Sequence, residues 1–240
     1  KWAIASVLAG IVLVVLDAAI ANIALPVIAA SLRVAPASAV GVITAYQLGL
    51  VMMLLPAAAL GESLGYRRVF VAGAAVFTAA SAGCALSPSL AWLMAARFAQ
   101  GLGGAGIMSL GIALLRFIVP SHRLGAAIGW NALTVALSSA AGPTLGAMIL
   151  SFGPWPWLFA VNLPIGACVL IAARALPCTP RTGHTFDVKT AAISAVTFAS
   201  FVLGAECMQS SPATALALFA AAALMTALLV RRESGRMDPQ

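Results

Sequence analysis

Two ionisable side chains stand inside long apolar runs, Asp17 within residues 3–32 and Arg97 within residues 90–115. If those runs cross a bilayer, each charge costs about 2.5–3.5 kcal/mol on insertion scales, and an intramembrane charge is a functional hypothesis by default. A rise of about 1.5 Å per residue places Asp17 about 21 Å from a helix edge near Ala3. Arg97 lies about 9 Å from the opposite edge near Ala91, hence about 21 Å above the first face of a ~30 Å hydrocarbon core. At one shared depth the two can pair. A carboxylate so placed can take up a proton or hold a cationic solute, with the guanidinium modulating its charge. A purely structural ion pair is the alternative reading of the same spacing.

A second constellation crowds into Ala58-Ala59-Leu60-Gly61-Glu62-Ser63-Leu64-Gly65-Tyr66-Arg67-Arg68. Gly65 permits a turn that other residues resist, Glu62 can engage a helix N-terminus or a basic side chain, and Arg67 and Arg68 supply cations. This suits a gating latch; a loop whose arginines only set topology is the plainer alternative. A third is Gly142-Pro143-Thr144-Leu145-Gly146. Pro143 removes one helix hydrogen bond, while Gly142 and Gly146 make a small-xxx-small face for close packing. Asn22, Tyr46, Trp130 and Asn131 are candidates for lining a cavity, each with packing as its alternative. Glu206 and Asp187 fall near the ends of apolar runs and are expected in water.

Other chemistries are excluded by the same inspection. Gly101-Leu102-Gly103-Gly104-Ala105-Gly106 fits G-x-G-x-x-G, but the dinucleotide fingerprint needs a preceding strand and a helix N-terminus. Mid-span glycines instead let helix backbones approach closely. Cys84, Cys168, Cys178 and Cys207 have no metal-ligand spacing and read as small apolar fillers. An intramembrane enzyme would need paired carboxylates, a Ser–His dyad or a metal cluster at one depth. Both histidines, His122 and His184, fall between apolar runs, and one acid alone is deep.

These residues must be positioned by apolar helices. Of 240 residues, 62% are hydrophobic and 8% charged, where soluble domains carry about 25% charge. So few charges cannot cover a globule of this size, and a polytopic membrane protein is the class that remains. Eight runs are long enough to cross: residues 3–32, 39–60, 69–86, 90–115, 124–152, 157–175, 190–207 and 213–230. With the N-terminus in the cytoplasm, Lys1, Arg67, Arg68, Arg116, Arg123, Arg174, Arg181, Lys189, Arg231, Arg232 and Arg236 lie inside and Arg33 alone outside. That asymmetry is a strong positive-inside signal, and a missed span would invert it. The net charge of +7 does not imply nucleic acid, because the basic residues form no stripe interleaved with aromatics. The chain opens Lys1-Trp2 with no small-residue cleavage site, so no removable signal peptide is expected.

The constellations together resemble the major facilitator superfamily, in particular its fourteen-span drug/proton antiporter branch of the EmrB/QacA type. The family's loop pattern G-x-L-a-D-r-x-G-r-k is matched in register by Leu60, Glu62, Gly65 and Arg67, with Ala58, Glu62, Ser63 and Tyr66 as departures. Asp17-Ala18-Ala19-Ile20-Ala21-Asn22-Ile23-Ala24-Leu25-Pro26 is similar to the first-helix signature D-x-T-i-v-n-v-A-L-P, with Ala19 for Thr. Arg97-Phe98-Ala99-Gln100-Gly101 resembles R-x-x-q-G, whose Arg the family links to proton coupling. Gly142, Pro143 and Gly146 match the antiporter element G-P-x-x-G. Residues 155–166 resemble W-r-w-i-F-l-v-N-v-P-i-G; the Trp pair also suits an interfacial belt.

The resemblance implies an all-α, major-facilitator-type six-helix bundle plus two additional helices, with eight spans and both termini cytoplasmic. It divides the chain into residues 1–176 for the bundle, 177–189 for a cytoplasmic linker, 190–230 for two central helices, and 231–240 for a tail leading to an absent C-terminal bundle. The implied function is proton-coupled efflux of small amphipathic or cationic compounds by alternating access. Its partners are the lipid bilayer, a small-molecule substrate and the missing C-terminal half. The place is the cell (plasma or inner) membrane, and no cofactor is expected beyond the proton gradient. The rival is a truncated, non-transporting half-protein or assembly partner.

Overall fold

A computed structural model describes residues 2–179, 187–208 and 211–237, with side chains described as far as Arg231. Lys1, Arg181 and His184, the middle of the expected linker and the side chains of Arg232 and Arg236 lie outside the described residues. Every regular element among the described residues is helical. Eight helices are long and apolar enough to cross a membrane. They are α1 (Trp2–Leu32), α2 (Pro36–Leu64), α3 (Tyr66–Ala85), α4 (Leu90–Ile118), α5 (Ser121–Phe152), α6 (Trp157–Ala175), α7 (Val188–Cys207) and α8 (Pro212–Met237). This architecture is what hydrocarbon demands, since each helix satisfies its own backbone N–H and C=O groups. The expected spans recur within a few residues. The helices run on past the apolar stretch, as where α5 begins at Ser121 rather than residue 124.

Local chemistry ends each helix. Arg33 takes a left-handed conformation (φ 53°), and Val34 N–H reaches back to the Ala29 carbonyl at 3.0 Å to close α1. Gly65 separates α2 from α3 at φ 100° and ψ 131°, a backbone state that a side chain resists. The Ser89 hydroxyl accepts from Trp92 N–H at the start of α4. Asp187 accepts from the N–H groups of Lys189 and Thr190 and so caps α7.

α4 is the central helix, and its glycines explain how. A Cβ on Gly103 would stand 2.5 Å from Phe77 N, and one on Gly101 would fall inside contact distance of the Tyr46 carbonyl. The glycines thus bring α4 against α2 and α3 at backbone distance, the close packing that small residues allow in membranes. Two apolar clusters fill the bundle, one around Phe70, Phe77, Ile107 and Leu114, the other around Ile20, Leu93, Trp155 and Phe159. α7 lies against α2, and α8 against α7. Glu206 on α7 is exposed, as expected, and also accepts a hydrogen bond from Thr44 on α2. Only 17% of the most apolar stretch of α5 is buried, against 56% for α4, so α5 presents most of its surface outward.

Candidate functional site

Asp17 and Arg97 meet in the middle of the bundle. Arg97 Nη1 donates to Asp17 Oδ2 at 2.5 Å, and both side chains are almost fully buried. α1 supplies the carboxylate and α4 the guanidinium, from helices pinned together around the glycines of α4. Asp17 Oδ1 accepts from Gln100 Nε2 at 2.9 Å and from Asn162 Nδ2 at 2.6 Å. Gln100 also takes Arg97 Nη1 on its Oε1 at 2.7 Å and donates to Ser81 Oγ at 2.8 Å. Ser81 passes its own proton back to the Phe77 carbonyl at 2.8 Å. Five polar side chains from α1, α3, α4 and α6 therefore form one connected network inside an apolar bundle.

Aromatic rings complete the arginine's environment. The Arg97 guanidinium carbon lies 4.1 Å from the ring centroid of Tyr46 and 5.5 Å from that of Phe159. Its Nε is buried without a hydrogen-bond partner, so the ring faces supply part of what solvent would. Tyr46 itself donates to the Val14 carbonyl at 3.4 Å.

An ionised carboxylate only accepts, and Asp17 here faces donors from Arg97, Gln100 and Asn162. A proton on Asp17 would remove the negative charge and so weaken all three bonds, since hydrogen bonds to a charged acceptor are roughly twice as strong as neutral ones.

One neighbouring motif packs beside this network, and the other lies at the far helix ends. A Cβ on Gly142 would collide with Ala19, two residues after Asp17, and Gly146 lies over Ile20. The glycine pair of the G-P-x-x-G element thus seats α5 on the turn of α1 that carries the acid. At the helix ends, Gly65 N–H bonds the Gly61 carbonyl at 2.9 Å and closes α2. Arg67 reaches α6, donating to the Arg174 carbonyl at 3.2 Å and to Cys178 Sγ at 3.5 Å. Glu62 and Arg68 stand exposed on either side of the turn.

The four cavity candidates are dispersed. Asn22 is exposed and bonds the Ala18 carbonyl of its own helix at 3.0 Å. Tyr46 is buried in the network, Trp130 is exposed on α5, and Asn131 holds a buried Oδ1 with no partner. None of the four lines either of two surface clefts, one beside Gly65 and one beside Pro26. The residues that spacing did not single out are Ser81, Gln100 and Asn162. Counted from the ends of α3, α4 and α6, Ser81, Arg97 and Asn162 lie about 6–11 Å from one face, a coincidence of depth that would have nominated Ser81 and Asn162.

Similarity to known proteins agrees with this arrangement. At 47% identity over 199 residues, the chain is similar to the "Uncharacterized transporter YebQ" of Escherichia coli K12, covering 82% of the chain and 44% of that protein. It is 39% identical over 163 residues to the "Multidrug resistance protein Stp" of Mycobacterium tuberculosis, covering 67% of the chain and 30% of Stp. The "Putative multidrug resistance protein MdtD" of Pectobacterium carotovorum is 32% identical over 92% of the chain and 47% of its own length. The chain thus spans less than half the length of each of these curated relatives. Among solved structures, the xylose transporter XylE from E. coli superposes with a TM-score of 0.64 at 14% identity, over 74% of the chain and 48% of XylE. The human organic anion transporter MFSD10 gives 0.62 at 17% identity, over 83% of the chain and 54% of its own. At such identities these two speak for the fold alone. The family model described as the Major Facilitator Superfamily matches residues 7–231, and the chain, a multi-pass membrane protein, belongs to that family.

Proposed function

We propose that this chain is the N-terminal six-helix bundle and central helix pair of a fourteen-span drug/proton antiporter, working by alternating access on small amphipathic or cationic compounds. The observation that carries the reading is the Asp17 network, a buried acid that accepts hydrogen bonds from two other helices. Proton uptake by Asp17 would weaken those contacts by removing the charge that assists them. Loss of the Arg97 contact frees α4 from α1, and loss of the Asn162 contact frees α6. A proton thereby changes how helices are tied, and a cation bound in its place restores the charge. That is the exchange an antiporter needs: one site, two competing positive ligands, and two packings.

In this scheme Gly142, Pro143 and Gly146 keep α5 seated on α1 beside the acid, restricting leak between the two packings. Glu62, Gly65, Arg67 and Arg68 form the gate at the end of α2, with Arg67 latching α3 to α6. The names of Stp and MdtD point toward multidrug compounds as the substrate class. The missing C-terminal bundle would complete the cavity on the outward surface of α5.

The test is proton-gradient-driven efflux of a cationic dye from vesicles holding matched amounts of the full-length transporter. Asp17→Asn preserves shape and removes the titration; it is expected to insert normally and lose driven efflux. Unchanged efflux by Asp17→Asn would remove this acid from coupling and leave the network a structural device.

A further inference from the structure

A cleft of about 700 Å³ opens between α3 and α6, at the helix ends that carry Gly65. Its lining is divided by chemistry. Val71, Ala72, Ala75 and Leu170 make one wall apolar, while Arg67, Arg68 and Arg174 surround the end nearest the turn. Among the described residues no acid pairs with any of the three arginines, and Glu62 does not line the cleft. Thr179 Oγ1, also at the lining, is buried with no hydrogen-bond partner. The apolar wall is continuous with exposed apolar surface, since Ile171 and Val76 are 62% and 44% exposed on the same two helices.

An apolar slot that opens sideways and ends in guanidinium groups and a spare hydroxyl matches one kind of ligand. A soluble anion would use the arginines but leave the slot empty, and a neutral lipid would fill the slot but leave the cations uncompensated. The positive-inside distribution of basic residues sets this end of α3 and α6 at the cytoplasmic leaflet, where anionic phospholipids are found and basic pockets between helices bind their headgroups. We infer that the α3–α6 cleft is a binding site for an anionic phospholipid, the phosphodiester on Arg68 and Arg174 and an acyl chain along Ala72, Ala75 and Leu170. Arg67 is partly committed to the Arg174 carbonyl, so it acts as the hinge of the site more than as its main cation. Such a lipid would bridge α3 and α6 beside the Gly65 turn, which goes beyond the antiport reading and does not depend on it.

The experiment uses the full-length protein, purified in detergent and titrated with phosphatidylglycerol or phosphatidylcholine, with bound lipid counted by native mass spectrometry. Wild type is expected to hold one phosphatidylglycerol at least tenfold more tightly than phosphatidylcholine. The pair Arg68→Gln and Arg174→Gln should abolish that preference, since two near-surface basic groups are together worth roughly 30-fold in affinity for an anionic lipid, while Arg68→Lys with Arg174→Lys should retain most of it and controls for folding. Millimolar inorganic phosphate should not displace the lipid. Equal retention of phosphatidylglycerol by wild type and the glutamine pair overturns the site. Displacement by inorganic phosphate overturns the lipid assignment in favour of a soluble anion.

Discussion

Replacing both members of the central ion pair should be less damaging than the two single replacements would suggest. Arg97→Leu leaves the Asp17 carboxylate buried, with Oδ1 still served by Gln100 and Asn162 but Oδ2 without its donor. Breaking a buried pair from one side costs about 3–5 kcal/mol. Asp17→Leu orphans the guanidinium, which keeps the Gln100 carbonyl at 2.7 Å and the Tyr46 ring, so its cost falls toward the lower end of the same range of about 3–5 kcal/mol. The sum is about 6–10 kcal/mol. With both replaced by Leu no charge remains, and the loss is that of two amide donors without an acceptor, about 1–3 kcal/mol each. The double variant should therefore be more stable than the sum by about 4 kcal/mol, beyond the additivity of independent sites. Unfolding of the full-length protein in mixed detergent and sodium dodecyl sulfate micelles measures all four corners. Additivity within about 0.5 kcal/mol would mean that the carboxylate and guanidinium do not share an environment, and the network argument would fall with it.

Two smaller perturbations probe the motifs around the pair. Gly65→Val places a β-branched residue at φ 100°, where a Cβ meets Thr179 at an ordinary 3.5 Å. The penalty is therefore backbone strain, about 1–3 kcal/mol, and the variant should lose thermal stability and dye efflux; wild-type values for both would leave the turn free of constraint. Gly142→Ala should weaken the α1–α5 contact and efflux, and Ala19→Gly in the same molecule should restore both by returning the methyl's space; a double variant as defective as the single would sink the close approach.

The legibility of the chain divides along physical lines. Spans were readable because lipid gives the backbone no alternative partner, so length and apolarity alone decide them. Asp17 and Arg97 were readable because a charge in such a span is costly enough to need a reason. Ser81, Gln100 and Asn162 were not, because neutral polar residues are common in membrane helices, where a hydroxyl can bond its own helix. Ser81 does so toward the Phe77 carbonyl even while it serves the network. The Thr44 contact of the exposed Glu206 was hidden for a related reason: a position near a helix end says nothing of a residue 162 positions earlier, on the helix against which α7 docks. Sequence shows which groups are expensive to bury; it does not show which cheaper groups have gathered to receive them.

That distinction bears on mechanism. A lone acid in an apolar span would change charge with little consequence for its neighbours. Asp17 instead accepts from Arg97 and Gln100 on α4 and from Asn162 on α6, and the turn carrying it is wedged by Gly142 of α5. Any event that neutralises it weakens its ties to α4 and α6 together, because hydrogen bonds to a charged carboxylate are roughly twice as strong as those to a neutral one. The glycine contacts of α4 with α2 and α3 involve no titratable group and would hold throughout. Gly111 of α4 against Ile11 of α1 and Gly166 of α6 against Thr78 of α3 are contacts of the same kind, so among the ties that join these helices the Asp17 network is the one that charge can adjust.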